Sequence, residues 1–270
     1  MMKQGKDKVN FGNYSYRIEF QLRGLPHVHG VLWIDEEWLI NQGFSPNIDD
    51  CEEAALRIAE ELVTVEIPEE EPLRSIVLQV QKHKHTATCR KRTAHACRFG
   101  FPKLPSEETI IAQPLSEGTE GEQKETYKKY ADILSKARDY LEGESVNEDL
   151  SYYEFLKEIA VDPEDYLAAL QTTKSGRIMI LKRSVKERFI NNYNKEWLLA
   201  WNANMDIQIS FDAYSVISYI IAYISKDEPE VAKKLMETYR QVKDLPSIDQ
   251  FKACLLYTSD AADDMQCVDL

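Results

Sequence analysis

The chain has 270 residues, 43% of them hydrophobic and 10% aromatic, enough for one large globular domain or a domain carrying an insertion. No apolar run is long enough to cross a bilayer, and the polar, lysine-bearing start from Met1 to Asn10 has no apolar signal core behind it, so nothing points to a membrane or to secretion. The net charge of -13 weighs against a nucleic-acid partner, while five cysteines, two of them clustered with histidines, fit a reducing compartment and a metal site better than a disulfide framework.

The distribution of charge changes that first impression. Lys82, Lys84, Arg90, Lys91, Arg92, Arg98 and Lys103 follow one another with no acid between them. Lys174, Arg177, Lys182, Arg183, Lys186, Arg188 and Lys195 are interrupted by Glu187 alone. The acid is concentrated in Asp35–Glu71 and Glu107–Asp165. Segregated basic segments of this kind are candidates for contact with a phosphate backbone.

In chain order, Tyr14–Leu22 and His27–Ile34 are rich in β-formers and separated by Arg-Gly-Leu-Pro, which predicts an antiparallel hairpin. Apolar spacing predicts a helix over Glu52–Val65, and Arg74–Gln81 is compatible with either strand or helix. Glu125–Glu142 and Ser151–Ile159 read as amphipathic helices within an insertion. Gly176–Leu181 reads as a strand, Trp197–Asn202 as a short helical turn and Ile207–Phe211 as an alternating strand. Ala213–Ser225 reads as an apolar helix closed by Lys226 and Pro229, and Pro229–Arg240 and Ser247–Ala253 read as further helix. The final stretch, Cys254–Leu270, resembles the translation of a sequencing-library adaptor and is expected to be an artefact of cloning or assembly.

Three constellations carry chemistry. A strand's two-residue period puts His27 and His29 on one face of the second strand, and Glu19 and Gln21 share a face of its partner. Two imidazoles with Glu19 as the third ligand suit a divalent cation that keeps positions open for phosphate oxygens and water, although a short H-x-H also occurs as an ordinary hydrogen-bonded pair. In YIIAYISK, helical spacing places Tyr219, Tyr223 and Lys226 on one stripe, where core packing is the competing explanation. A phenol of pKa near ~10 attacks a phosphodiester only with help from a cation and from a group such as Lys226.

The third constellation is HKHTATCRKRTAHACRFGFP, in which His83, His85, Cys89 and Cys97 form a closed set of two imidazoles and two thiols, with His95 as a spare. That donor set is what structural Zn2+ prefers, although the spacing is not that of a standard finger. The interleaved basic residues, with Phe99 and Phe101, predict a DNA-facing surface once the segment folds around the metal.

At these residues the sequence resembles the replication-initiator domain of Helitrons, the rolling-circle transposons, in the segment often labelled helicase-like. The resemblance runs through RIEFQLRGLPHVHGVLWI, QKHKHTATC, CRFGFPKLPSEETIIAQPL, LKRSVKERFINNYNKEWLLAWNANMDIQ and YIIAYISKDEPE, spread over Tyr16–Glu230. It implies an HUH endonuclease: an α+β fold with a central antiparallel sheet, flanking helices and an inserted zinc-binding, helix-containing segment. The hairpin would span residues 14–34, the insertion about 40–170, the strand and tyrosine-helix part 171–230 and the helical end 231–253.

By the same resemblance His27 and His29 would bind the catalytic cation, Mg2+ or Mn2+. Tyr219 and Tyr223 would be paired nucleophiles that nick and rejoin single-stranded DNA at transposon ends and target through 5'-phosphotyrosine, in the nucleus. Family members carry a further strand motif upstream of the hairpin and a C-terminal helicase domain as partner. Only a short polar stretch precedes the hairpin here, and no G-x-x-x-x-G-K-[ST] loop occurs, so the chain reads as an N-terminally incomplete fragment without a helicase motor. The alternatives are a zinc-stabilised, non-catalytic DNA-binding fragment, and more remotely a metal-dependent hydrolase barrel, for which the strand and helix repeats are missing.

Overall fold

The structure is a computed structural model that describes residues 8–20, 26–44, 52–86, 89, 97–143, 145–174, 176–211 and 216. The chain divides into two compact units, Met1–Val9 with Glu37–Phe211, and Asn10–Glu36 with Asp212–Leu270. The architecture is mixed α and β, and the described residues form one two-stranded and one three-stranded sheet.

In the second unit, β1 (Phe11–Phe20) and β2 (Pro26–Ile34) form the expected antiparallel pair, with β1 starting earlier than the sequence predicts. The register sets Glu19 opposite His27 and Arg17 opposite His29, while Tyr14 faces Leu32 and Ile18 faces Val28. Directly opposed residues share a face. One face is therefore apolar and exposed, through Tyr14, Tyr16, Ile18, Val28 and Leu32, and the other carries the two histidines.

The first unit begins its helices with α1 (Glu36–Asn41) and α2 (Glu52–Leu62). Acidic Glu52 and Glu53 sit in the first turn of α2, where they complement the helix dipole. Ala59 of α2 packs with Val63, Val65 and Leu181. Leu73–Ile76 (α3) runs into a π-helical turn at Val77–Gln81, which settles the undecided segment as helix. The three-stranded sheet places β3 (Ile110–Pro114) between β4 (Thr172–Thr173), parallel to it, and β5 (Ile178–Ile180), antiparallel.

Three helices make the main core. α4 (Glu120–Leu141) opens with a reciprocal Thr119–Glu122 capping box and α5 (Tyr152–Glu158) with a Ser151–Glu154 box, which fixes where each starts. α6 (Pro163–Leu170) has Asp162 as N-cap and Pro163 in the first turn, a local signal that was present in the sequence. Ala137, Leu141, Phe155, Leu156, Ile159, Tyr166, Leu170 and Val185 close against one another. The buried Tyr166 hydroxyl donates to the Pro105 carbonyl at 3.0 Å.

The segment Arg183–Asn194 ties the unit together. Its backbone bridges Ser106 through Arg183, Lys82 through Ile190 and Thr64 through Tyr193. It ends at Asn194, whose side chain caps α7 (Lys195–Trp201) by accepting from the Trp197 N–H. The strand predicted over Ile207–Phe211 does not form. Its alternation is real, since Ile207 and Ile209 pack against the Ala59 and Leu181 cluster. The side-chain amide of Asn192 donates to the Ile207 carbonyl at 3.1 Å, so a side chain takes the place a neighbouring strand would hold.

Candidate metal centre

The sequence segment His83–Phe101 is anchored to the Arg183–Asn194 spine at both ends. The His83 N–H donates to the Phe189 carbonyl at 2.7 Å, and the Lys103 N–H to that of Arg188 at 2.7 Å. Between these anchors the backbone folds back on itself: the Cys89 N–H donates to Thr86 and the Arg98 N–H to the Cys89 carbonyl. The turn after Cys97 is closed by the Gly100 N–H on the Cys97 carbonyl at 2.9 Å, with Gly100 at φ 70°, a conformation that L side chains resist.

These local bonds bring the four predicted ligands together. One donor atom from each of His83, His85, Cys89 and Cys97 lies within 4.8 Å of the others, a group that can hold a metal ion. His83 presents Nε2 to the Cys97 sulfur at 3.4 Å, and His85 presents Nδ1 to the Cys89 sulfur at 3.5 Å. The Thr86 N–H points at the Cys89 sulfur at 3.3 Å, a donor well placed to stabilise a thiolate. Both sulfurs are buried. Burial, the neighbouring His85 and Lys103 all push the His83 pKa below its usual value, favouring the neutral imidazole that a metal requires. His95 lies outside the described residues.

Aromatic rings wall the cluster. Phe101 stacks on His83 with centroids 4.4 Å apart and planes 7° from parallel, and it is buried with the two cysteines. Lys103 Nζ lies over the Phe101 ring at 4.9 Å and donates to the Phe99 carbonyl. The expectation that Phe101 faces DNA is therefore corrected: it belongs to the wall of the His/Cys cluster, because flat contact with the His83 ring and packing with the two cysteines withdraw it from water. Phe99 is 48% exposed and carries Arg98 above its ring at 4.5 Å.

The second basic segment is also less superficial than its composition implies. Arg183 is buried and donates to the carbonyls of Glu187 and Ile190 and to Asn192. Burial lowers its pKa to about 10, so it stays charged at neutral pH. Arg188 is buried as well, donating to the Leu141 carbonyl at 3.1 Å and to Glu148 at 2.8 Å. Lys182 and Lys186 remain exposed.

In the hairpin, the rings of His27 and His29 lie with centroids 4.5 Å apart, and Glu19 sits opposite His27 in the register. Tyr219, Tyr223 and Lys226 lie outside the described residues, as does all of Ala213–Ser225 except Val216. The helices expected beyond Pro229 and the adaptor-like stretch Cys254–Leu270 lie outside them too.

The residue that sequence reasoning missed is Glu142. Its carboxylate lies 3.3 Å from Nε2 of His85, and it reaches the cluster from the end of α4, far along the chain. Among the described residues no helix is long and apolar enough to cross a membrane. No protein-family model, curated protein or solved structure matches the chain.

Proposed function

We propose that the chain is the nicking and strand-transfer domain of a Helitron-type HUH element, carrying a separate zinc-clasped segment. The observation that carries the reading is the pair His27 and His29, with adjacent rings on one face of β2 and a carboxylate residue, Glu19, opposite in the register. Two imidazoles, with a carboxylate residue opposite in the strand register, suit a divalent cation, Mg2+ or Mn2+, which would polarise the scissile phosphate. The chain's own contribution is a nucleophile: the phenol oxygen of Tyr219 or Tyr223 bonds to phosphorus, and the bond to the 3'-oxygen breaks. That oxygen leaves as a 3'-hydroxyl after taking up a proton. The phosphotyrosine conserves the energy of the broken bond, and a positive Lys226 offsets the developing negative charge.

The second metal in this reading is Zn2+ at His83, His85, Cys89 and Cys97. Zinc bond lengths of about 2.3 Å to sulfur and about 2.05 Å to nitrogen, at a tetrahedral angle, require sulfur-to-nitrogen edges of about 3.5 Å. Two of the four such edges are 3.4 and 3.5 Å, and all four donor atoms lie within 4.8 Å of one another. That convergence also favours a second reading, a zinc-stabilised DNA-binding module without catalysis, in which exposed Arg98 and Phe99 contact single-stranded DNA.

Purified protein incubated with labelled single-stranded DNA and Mn2+ or Mg2+ tests the first reading. A protein–DNA adduct that survives denaturation is expected. It should vanish when Tyr219 and Tyr223 are both changed to Phe, or when His27 and His29 are both changed to Ala, with zinc content unchanged. Absence of any adduct, or its survival in the double Phe variant, refutes nicking. DNA binding that persists without an adduct, weakens with salt and is lost on zinc removal would instead support the module.

A further inference from the structure

We infer that Glu142 is the outer partner of a metal-bound His85, which makes the end of α4 a positioning element for the metal centre. The inference rests on the metal reading of the cluster, and it begins with the two histidines presenting different nitrogens. His83 turns Nε2 toward Cys97, whereas His85 turns Nδ1 toward Cys89. Ligation of His85 through Nδ1 leaves Nε2 carrying the proton, because neutral imidazole has one donor and one acceptor nitrogen. That Nε2 is sealed from solvent and has no aligned hydrogen-bond partner among the described residues. The nearest carboxylate oxygen of Glu142 is 3.3 Å away, within reach of that proton.

Glu142 is held in place by its helix. It is the C-cap of α4, its own N–H donates to the Arg138 carbonyl at 2.9 Å, and the preceding Leu141 is buried in the helical core. The Leu141 carbonyl in turn accepts from Arg188, whose neighbour Phe189 meets the His85 ring edge-on at 5.6 Å. The carboxylate and the imidazole are thus positioned by one connected framework. A carboxylate on the outer nitrogen of a ligating histidine fixes its tautomer and raises its basicity toward the metal. Loss of such a partner typically weakens binding by about 10–100-fold.

The test measures Zn2+ affinity by chelator competition for the wild-type chain, Glu142→Gln and Glu142→Ala, together with long-range proton–nitrogen NMR of the zinc-loaded wild type. The expected spectrum shows His83 ligated through Nε2 and His85 ligated through Nδ1 with its proton on Nε2. Zinc affinity should fall by about 10–100-fold in Glu142→Ala. Glu142→Gln, which keeps an oxygen acceptor, should recover part of the loss. Unchanged affinity in Glu142→Ala, or His85 ligated through Nε2, overturns the inference while leaving the metal centre standing. A wild-type chain that binds no Zn2+ overturns both.

Discussion

Changing Cys89 to Ser removes one of four donors while keeping nearly the same shape at a buried position. The serine hydroxyl does not ionise near neutrality, so the proposed zinc set of two sulfurs and two nitrogens would fall to three effective ligands. With free Zn2+ buffered at about 1,000 times the wild-type Kd, binding stabilises the native state by about 4 kcal/mol. If the lost ligand weakens binding on the order of 100-fold, the same buffer leaves about 1.4 kcal/mol. The difference of about 2.7 kcal/mol corresponds to a zinc-dependent rise in Tm that is smaller by roughly 5–10 °C for a domain of this size. Thermal unfolding of wild type and variant, in zinc buffer and in chelator, reads this directly. A wild-type Tm indifferent to zinc, or a Cys89→Ser variant with the full zinc-dependent rise, would refute the reasoning.

The two phenylalanines beside the cluster should separate cleanly. Phe101→Ala opens the wall against His83 and the sulfurs and should cost about 3–5 kcal/mol in denaturant titration, whereas exposed Phe99→Ala should cost under about 0.5 kcal/mol. Arg188→Met keeps much of the volume but leaves the Leu141 carbonyl and Glu148 without their donor, for a loss of about 2–3 kcal/mol in the same titration. Gly100→Ala forces a side chain into the left-handed region and should destabilise the chain by about 1–2 kcal/mol, with lowered zinc retention as the local readout. Hydrogen bonds from the Ser151 hydroxyl and N–H hold the Glu154 carboxyl below its usual pKa of 4.5. A depressed native pKa gives stability that is present above that value and lost as the pH falls through the native one. Thermal scans from about pH 6 to about pH 3 should therefore show wild type exceeding Glu154→Gln at the upper end, the two converging in acid. A constant gap across that range would disprove the capping role.

What the sequence by itself determined lies close together in the chain. The two-residue period of a strand put His27 and His29 on one face, and the short spacings among His83, His85, Cys89 and Cys97 allowed a turn to gather four donors. The Thr119, Ser151 and Asp162 caps, each satisfied within one turn, are local signals of the same kind, although the sequence reading starts the first of these helices only at Glu125 and omits the last. Only the tertiary structure decided which charges and rings face water. Arg183 and Arg188 read as surface charge until the carbonyls of Glu187, Ile190 and Leu141 enclosed them. Phe99 and Phe101 look alike in the sequence, yet one lies open beneath Arg98 and the other is stacked on His83. Ile207–Phe211 alternates like a strand, but the backbone partner it would need is replaced by the Asn192 side chain, and Glu142 meets His85 only because α4 ends beside the spine. Local geometry follows from backbone sterics and from spacing. Burial and long-range pairing depend on which distant surfaces find one another, and no window of neighbouring residues contains that information.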